Sequence, residues 1–161
     1  MKITTAERLV KVRRAIDRIR TATPMASVGM QRVVLTHGCF DVIHPGHLRH
    51  LRWAKEQGDV LVVSITSDRF VNKGAGRPWI PELQRADLIG ELKLVDHVLI
   101  TDAPEPSELI RMIRPDIYVK GWEYKNRDLP ELDALIDANA RLMFSPNDVL
   151  YHSTELGPPR G

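Results

Sequence analysis

Cysteine is nearly absent from this sequence, because Cys39 is the only one in 161 residues. A single thiol excludes an internal disulfide and a zinc ribbon, and it fits a reducing compartment. Long apolar runs are missing as well: no stretch of about eighteen apolar residues occurs, and residues 1–20 lack the apolar segment of a signal peptide. These absences argue against a membrane protein and predict a cytoplasmic one.

Strong net charge is also missing, since the formal charge at pH 7 is only +2. That balance is too weak to indicate nucleic acid as the partner. Hydrophobic residues make up 43% and charged residues 27%, which is ordinary for a globular protein. A chain of this length suits one domain that can bury its own core.

The first segment, 1–24, is expected to form a helix and a linker ahead of the main domain, 25–161. Apolar residues recur at helical spacing over 5–20, which predicts an amphipathic helix. Basic residues outnumber acidic ones there. We interpret them as a solvated face, with a nucleic-acid contact as the alternative.

Short β-branched runs then alternate with helical segments, the pattern of a parallel sheet with crossover helices. The predicted strands are 32–36, 60–65, 97–100, 116–119 and 141–144, and the predicted helices between them are 46–57, 81–93, 106–113 and 130–139. The sequence therefore predicts an α/β fold: a Rossmann-like, doubly wound, parallel five-stranded sheet with an extra N-terminal helix.

The stretch THGCFDVIHPGHLRHL, residues 36–51, begins where the first predicted strand ends. Ligands of open α/β sheets bind at that edge. Gly38 allows close backbone approach, and Pro45 and Gly46 force a tight entry into a helix whose free amides favour an anion. His44 and His47 can then both point toward one phosphate group.

A zinc site built from His44, His47 and His50 is the main competing interpretation. It is disfavoured because residues 44 and 50 lie about 600° apart around a helix and cannot share one face. We interpret His50, His97 and His152 as structural residues, and for His37 both interpretations stay open.

The motif resembles the HxGH nucleotidylyltransferase superfamily, in its cytidylyltransferase-like branch. The similarity extends to a lysine-containing loop, RFVNKGAGRP (69–78), and to IYVKGWEY (117–124) and HSTEL (152–156). It is similar to heptose-phosphate adenylyltransferases, glycerol-3-phosphate cytidylyltransferase and phosphonate cytidylyltransferases. Class I aminoacyl-tRNA synthetases carry a similar motif, but a chain of this length leaves no room for their tRNA-binding parts.

The resemblance implies attack by an acceptor's phosphate oxygen on the α-phosphorus of CTP or ATP, with release of pyrophosphate and with Mg²⁺ as cofactor. CTP is favoured, and the acceptor is expected to be a small phosphate or phosphonate. Relatives are commonly dimers, so a homodimer is expected. A nucleotide-binding module without chemistry is the alternative from another class.

Site roles follow from the same resemblance, residue by residue. His44, His47 and Lys73 are the expected catalytic residues, and Asp41, Arg77 and Arg85 are expected at the acceptor, with no protein side chain as a direct metal ligand. The expected nucleotide-binding residues are Thr36, Gly38, Cys39, Phe40, His44, His47, Lys120, Gly121, Ser153 and Thr154, with Trp122 as a wall of the pocket. The final residues, GPPRG (157–161), depart from the family's C-terminal helix, and residues 143–151 replace the region that closes over substrate in relatives.

Overall fold

A computed structural model describes residues 5–21 and 31–146 of the chain. Its strands are β1 (Val33–Gly38), β2 (Val60–Thr66), β3 (His97–Thr101), β4 (Ile117–Gly121) and β5 (Arg141–Ser145). Its α-helices are α1 (Thr5–Thr21), α2 (Pro45–Glu56), α3 (Glu82–Gly90), α4 (Ser107–Ile113) and α5 (Leu132–Ala138). None of these helices is long and apolar enough to cross a membrane, within the part of the chain that is described.

The strands form one sheet in the order β3-β2-β1-β4-β5, and each neighbouring pair is parallel. Parallel neighbours require crossover connections, and the helices supply them. The predicted doubly wound five-stranded sheet is therefore confirmed. Because β2 and β4 flank β1, the crevice of this sheet lies at the carboxyl ends of these central strands.

Helices cover both faces of the sheet, so that each strand contributes alternate side chains to two cores. One core joins α1, α4 and α5 to side chains such as Leu35 and Tyr118. The other joins α2 and α3 to side chains such as Val34 and Val119. Ile16 of α1 is buried in the first core, which confirms the helix predicted ahead of the sheet.

Aspartates placed just before strands fix the amino-terminal edge of the sheet. Asp116 Oδ2 accepts a hydrogen bond of 2.8 Å from the amide of Val33. Asp96 Oδ2 accepts one of 2.7 Å from the amide of Leu61. Each carboxylate satisfies an amide of the neighbouring strand, which would otherwise lack a partner at the sheet edge.

The helix predicted over 81–93 is shorter in the structure. Pro81 lies at its N-cap, and α3 ends at Gly90. The amide of Leu92 then bonds to the carbonyl of Ile89 in a tight turn, and Leu92 packs against the core. Leu92, Leu94 and Val95, which the prediction placed at the end of the helix or just after it, therefore pack against the core from a turn.

Gly58, in the turn between α2 and β2, is expected to tolerate no side chain. A Cβ there would lie 2.6 Å from Val34 Cγ2 and 2.8 Å from the carbonyl oxygen of Arg32. We predict that Gly58→Ala lowers the free energy of unfolding by about 2 kcal/mol, measured by urea denaturation. The control is Gly90→Ala, whose Cβ would make an ordinary contact of 3.7 Å. Equal stability of the two variants would contradict this account of the turn.

Candidate functional site

The two motif histidines lie together at the mouth of α2. His44 is the N-cap, Pro45 follows at the first helical position, and the carbonyl of His44 accepts the amide of His47 at 2.9 Å. The imidazole rings are stacked, with centroids 3.8 Å apart and planes inclined by 26°. The structure therefore brings the predicted pair together at a helix end whose amides favour an anion.

The Phe40 ring packs against His47, and the predicted contact of Phe40 with nucleotide stays a prediction. Its side chain is 4% exposed, and its ring lies 5.1 Å from that of His47. A Cβ on Gly38 would lie 2.9 Å from the Phe40 ring, so glycine is required at the end of β1. Phe40 is a packing residue that fixes the turn leading to the histidines.

Asp41 was predicted to contact the acceptor. In the structure its carboxylate instead holds the loop that contains Arg77, Trp79 and Ile80. Its side chain is fully buried and accepts hydrogen bonds from the amides of Trp79 and Ile80, at 2.7 and 3.0 Å, and from the guanidinium of Arg77. Burial alone would raise the pKa of Asp41, but the bonds from Ile80, Arg77 and Trp79 outweigh it and hold the pKa below its ordinary value. The carboxylate therefore stays ionised, and its hydrogen bonds are made to groups of the protein itself.

Arg77, also predicted at the acceptor, belongs to the same contact. Its side chain is 7% exposed, and its guanidinium carbon lies 4.1 Å from the centroid of the Trp79 ring. The pairing with Asp41 leaves the cation enclosed. We therefore correct its role to holding the loop.

Arg85 is the third predicted acceptor residue that the structure places elsewhere. It has no exposed surface, and its Nε donates to the carbonyl of Ile80 at 2.8 Å. Its two terminal nitrogens donate to the carbonyl of Cys39 and, at 2.6 Å, to the carboxylate of Asp68. One guanidinium thus ties the end of β1 to both ends of the segment 68–80, which we call the lysine loop.

Lys73 lies at the exposed tip of the lysine loop. Gly74 and Gly76, just after it, have φ angles of 97° and 75°, a backbone region that favours glycine. Lys73 lines the cavity described next. Its charge lowers the pKa of the Cys39 thiol, which burial raises more strongly. The lysine therefore faces the end of β1, as its predicted role requires.

A cavity of about 270 Å³ opens at the carboxyl ends of β1, β2 and β4. It lies on the face of the sheet covered by α4 and α5, whereas the histidine pair belongs to the other face. Its lining residues come from the strand ends, the lysine loop and the segments before α4 and α5: His37, Gly38, Cys39, Thr66, Phe70, Val71, Asn72, Lys73, Pro104, Glu105, Pro106, Lys120, Tyr124, Asp128, Leu129, Pro130 and Glu131. Gly38 and Cys39 separate the two halves of the site.

Lys120 reaches this cavity from β4, as part of a buried polar group that the sequence did not reveal. Its Nζ lies 2.7 Å from Glu131 Oε1 and 4.3 Å from the centroid of the Tyr124 ring. The hydroxyl of Tyr118 donates to the same oxygen at 2.9 Å. No motif marks Glu131, and the only available signal was its place just before a helix in the loop after β4.

Trp122 does not form the expected wall of the pocket. Its side chain is 43% exposed, and the Nζ of Lys125 lies 4.0 Å from its ring centroid on the surface. Tyr124 lines the cavity instead. Gly121 ends β4 beside this segment and is not among the lining residues, while Ser153 and Thr154 lie outside the described residues.

Thr36, predicted to bind nucleotide, is fully buried, and its side chain forms a hydrogen bond with His50. Its hydroxyl donates to the carbonyl of Val119 at 2.9 Å, so its oxygen must accept from His50 Nε2 at 2.8 Å. The other ring nitrogen, Nδ1, lies 2.7 Å from Ser145 Oγ. These bonds keep the Thr36 side chain within the protein, so its contact with nucleotide stays a prediction, and they describe a structural position for His50.

His37 is likewise held by hydroxyls. Its Nδ1 lies 2.6 Å from Ser64 Oγ, and its Nε2 lies 3.1 Å from Thr66 Oγ1. Burial lowers the pKa of both His37 and His50 to about 4. Both rings are therefore neutral at pH 7 and contribute no charge to the site.

No cluster of three or more His, Cys, Asp or Glu side chains that could hold a metal occurs within residues 5–21 and 31–146. The carboxylate of Asp41 is enclosed by its own partners and does not fit a water shell around magnesium. Any such ion has to be held by ligands other than this set.

Acid should destabilise the fold through these two imidazoles. Below pH 6.5 the unfolded chain binds protons on them, whereas the folded chain resists protonation until about pH 4. Stability is then lost as the pH falls through that window, by about 1 to 2 kcal/mol per histidine between pH 7 and 5. Urea unfolding of wild type and His37→Gln/His50→Gln at both pH values tests this: the variant should lose less, and equal losses would contradict it.

Removal of the Arg85 side chain should release the lysine loop. In Arg85→Met, two carbonyls and Asp68 lose their donor, and we expect amide hydrogen exchange at Trp79 and Ile80 to rise at least tenfold. Arg69→Met is the matched control, because Arg69 pairs with Asp102 while its side chain is 65% exposed. Unchanged protection in Arg85→Met would show that the loop is held by other contacts.

Comparison with known proteins agrees with this geometry. Residues 35–154 match the family model described as Cytidylyltransferase-like. The bifunctional protein HldE of a Nitratiruptor species is 46% identical over 101 residues, which is 62% of this chain and 22% of that protein. HldE of Campylobacter curvus is 40% identical over 126 residues, 74% of this chain and 27% of that one. The chain thus spans about a quarter of these relatives' length.

Solved structures show the same architecture. The lipopolysaccharide core biosynthesis protein of Thermoplasma volcanium has a TM-score of 0.62 and 26% identity, covering 72% of this chain and 97% of that one. Pantothenate synthetase of Thermus thermophilus, with a TM-score of 0.50 and 13% identity over 80% of this chain and 59% of that one, shares the fold alone. The stacked histidines at the helix mouth and a family match over most of the sequence lead to one assignment: the chain belongs to the cytidylyltransferase-like family.

Proposed function

We propose that this protein transfers an adenylyl group from ATP to the phosphate of a sugar 1-phosphate and releases pyrophosphate. The observation that carries the proposal is the stacked pair His44 and His47, adjoining across Gly38 a cavity that Lys73 lines. An anion-binding helix mouth and a separate small cavity give one place for each of two phosphorylated substrates.

The choice of ATP reverses the preference for CTP drawn from the sequence. The HldE relatives combine a heptose-7-phosphate kinase with a heptose-1-phosphate adenylyltransferase. Their similarity to this chain supports ATP as the donor and an aldose 1-phosphate, such as heptose 1-phosphate, as the acceptor. It also accounts for the resemblance of the lysine loop and of IYVKGWEY to the heptose enzymes.

The reaction needs positioning and positive charge more than acid–base chemistry. An oxygen of the acceptor phosphate forms a bond to the α-phosphorus, and the bond from that phosphorus to the bridging oxygen breaks, with its electron pair leaving on pyrophosphate. The nucleophile is already an anion, so no base is required. His44 and His47 donate to the phosphate oxygens as charge builds, and Lys73 approaches the same centre from the lysine loop.

The size of the cavity supports a division between donor and acceptor. At about 270 Å³ it is close to the lower limit of small-ligand sites and suits a sugar phosphate alone. The triphosphate then belongs at the mouth of α2, on the other face of the sheet. Gly38 and Cys39 offer backbone between the two, where the reacting atoms would meet.

Magnesium as cofactor and a homodimer as the assembly are both part of the proposal. Since the described carboxylates form no metal cluster, we propose that magnesium enters with the triphosphate and is held by its oxygens. The ion supplies charge neutralisation when bound. Omission of magnesium is therefore expected to abolish turnover without unfolding the protein.

Pyrophosphate release, measured with each of the four nucleoside triphosphates, tests the function. Each is paired with heptose 1-phosphate, mannose 1-phosphate, glycerol 3-phosphate and 2-aminoethylphosphonate. We expect turnover with ATP and an aldose 1-phosphate. Turnover restricted to CTP would contradict ATP as the donor. Nucleotide binding without release of pyrophosphate, for every pair of donor and acceptor, would favour a non-catalytic module.

His44→Ala should lower kcat by about 100- to 1000-fold, because one preorganised donor to the charged phosphate is lost. The fold should survive, because His44 caps α2 with its backbone carbonyl, which alanine retains. His97→Gln is the matched control, at the start of β3 and the opposite edge of the sheet. Full turnover in His44→Ala would count decisively against the proposed chemistry.

A further inference from the structure

The cavity contains a buried carboxylate that the transfer reaction itself does not need. Glu131 is 1% exposed, and it lines the cavity from the N-cap of α5. Both of its hydrogen bonds to other described side chains, from Tyr118 and Lys120, end on Oε1. The carboxylate also interacts with the amide of Glu131 itself. Oε2 receives no bond from another described side chain, and a carboxylate oxygen with two lone pairs can accept one from a ligand.

Lys120 is the complementary donor. Its side chain is 10% exposed and lines the same cavity. One of its three N–H groups is directed at Glu131, 2.7 Å away, and the ammonium lies over the Tyr124 ring at 4.3 Å. An ammonium has three donors, so it can still donate to a ligand oxygen.

The ion pair of Lys120 and Glu131 contributes little to the free energy of unfolding, so stability alone does not explain it. Apolar residues of similar volume often stabilise a fold as well as a buried ion pair does, because both charges lose their hydration. Burial would raise the pKa of Glu131, but the bonds from Lys120 and Tyr118 lower it below its ordinary value, so the group stays ionised. A neutralised pair of this kind attracts little further charge and suits neutral polar groups.

Adjacent hydroxyls fit this arrangement chemically. One hydroxyl of a vicinal diol can donate to Glu131 Oε2, while its neighbour accepts from Lys120 Nζ. Tyr124 offers a ring against which the carbon face of a sugar can pack. A phosphonate or a phosphate monoester without hydroxyls would leave both groups unsatisfied, at a cost in affinity.

The charges also give the ligand a direction. Lys73 lines the cavity from the lysine loop, whereas Lys120 lines it from β4 and Glu131 from the N-cap of α5. A phosphate would then lie toward Lys73 and the mouth of α2, with the sugar ring extending toward α5.

We propose that Glu131 and Lys120 bind a vicinal diol of the acceptor, and that they select sugar phosphates over acceptors that lack adjacent hydroxyls. This inference rests on the proposed function for the identity of the acceptor. It assigns specificity to two side chains that take no part in the phosphate chemistry.

Cys39 provides a test that requires no turnover. It is the chain's only cysteine and it lines the cavity, so its alkylation by iodoacetamide in mildly alkaline solution reports on occupancy. Mannose 1-phosphate and methyl phosphate are compared as protecting ligands, since the second lacks a diol. In wild type we expect the sugar phosphate to protect at concentrations at least tenfold lower.

Glu131→Gln should remove most of that tenfold advantage and leave protection by methyl phosphate unchanged. Asp133→Asn is the matched control, because it removes the same charge from an exposed position in the same helix. If Glu131→Gln does not fold, as judged by circular dichroism, Lys120→Met/Glu131→Gln removes both charges and should give the same loss.

Three outcomes decide the matter. Loss of the advantage in Glu131→Gln, with the control unchanged, supports the inference. Equal protection by both ligands in wild type overturns it, and so does an advantage that survives in Glu131→Gln and in the double variant. Failure of the proposed function is a separate result, because it is seen as absent pyrophosphate release while protection of Cys39 is unaffected.

Discussion

Two buried charges, Asp41 and Arg85, hold the site together by fixing the lysine loop to the end of β1. Asp41 captures two amides at the end of the loop, and Arg85 bonds both loop ends and the carbonyl of Cys39. A loop with two glycines in the left-handed region would otherwise have many conformations. The position of Lys73 relative to the histidine pair depends on this contact.

The site is divided by the sheet itself. His44 and His47 belong to the face covered by α2, whereas the cavity lies on the face covered by α4 and α5. Only the chain around Gly38 is common to both, and a side chain there would collide with Phe40. In the proposed reaction, Gly38 would allow the donor phosphate and the acceptor phosphate to approach each other from opposite faces, as an in-line transfer requires.

The fold could be predicted largely from alternating β-branched and helical patterns, because each strand is a short apolar run followed by a helix. The histidine pair could be located from its spacing across Pro45 and Gly46. The sequence did not predict which partners the charged side chains of the motif region contact. Asp41, Arg77 and Arg85 have the residue types of a binding site, but burial decides which partners they take, and burial depends on contacts between segments about 40 residues apart in sequence.

Glu131 was missed for the complementary reason. A glutamate before a short helix is ordinary in sequence, and only the parallel pairing of β4 with β1 brings that segment over the end of the sheet. The sequence therefore predicts the order of strands and helices and the position of the histidine motif. It is silent about polar groups assembled by topology.

The aspartates before β3 and β4 lock neighbouring strands at the edge remote from the substrates. The amino-terminal edge is therefore held by bonds between neighbouring strands, whereas the carboxyl edge is held by bonds from Asp41 and Arg85 to the lysine loop. Under the proposed function, exchanges of residues near α5 would change acceptor choice and leave the aspartate bonds at the amino-terminal edge intact.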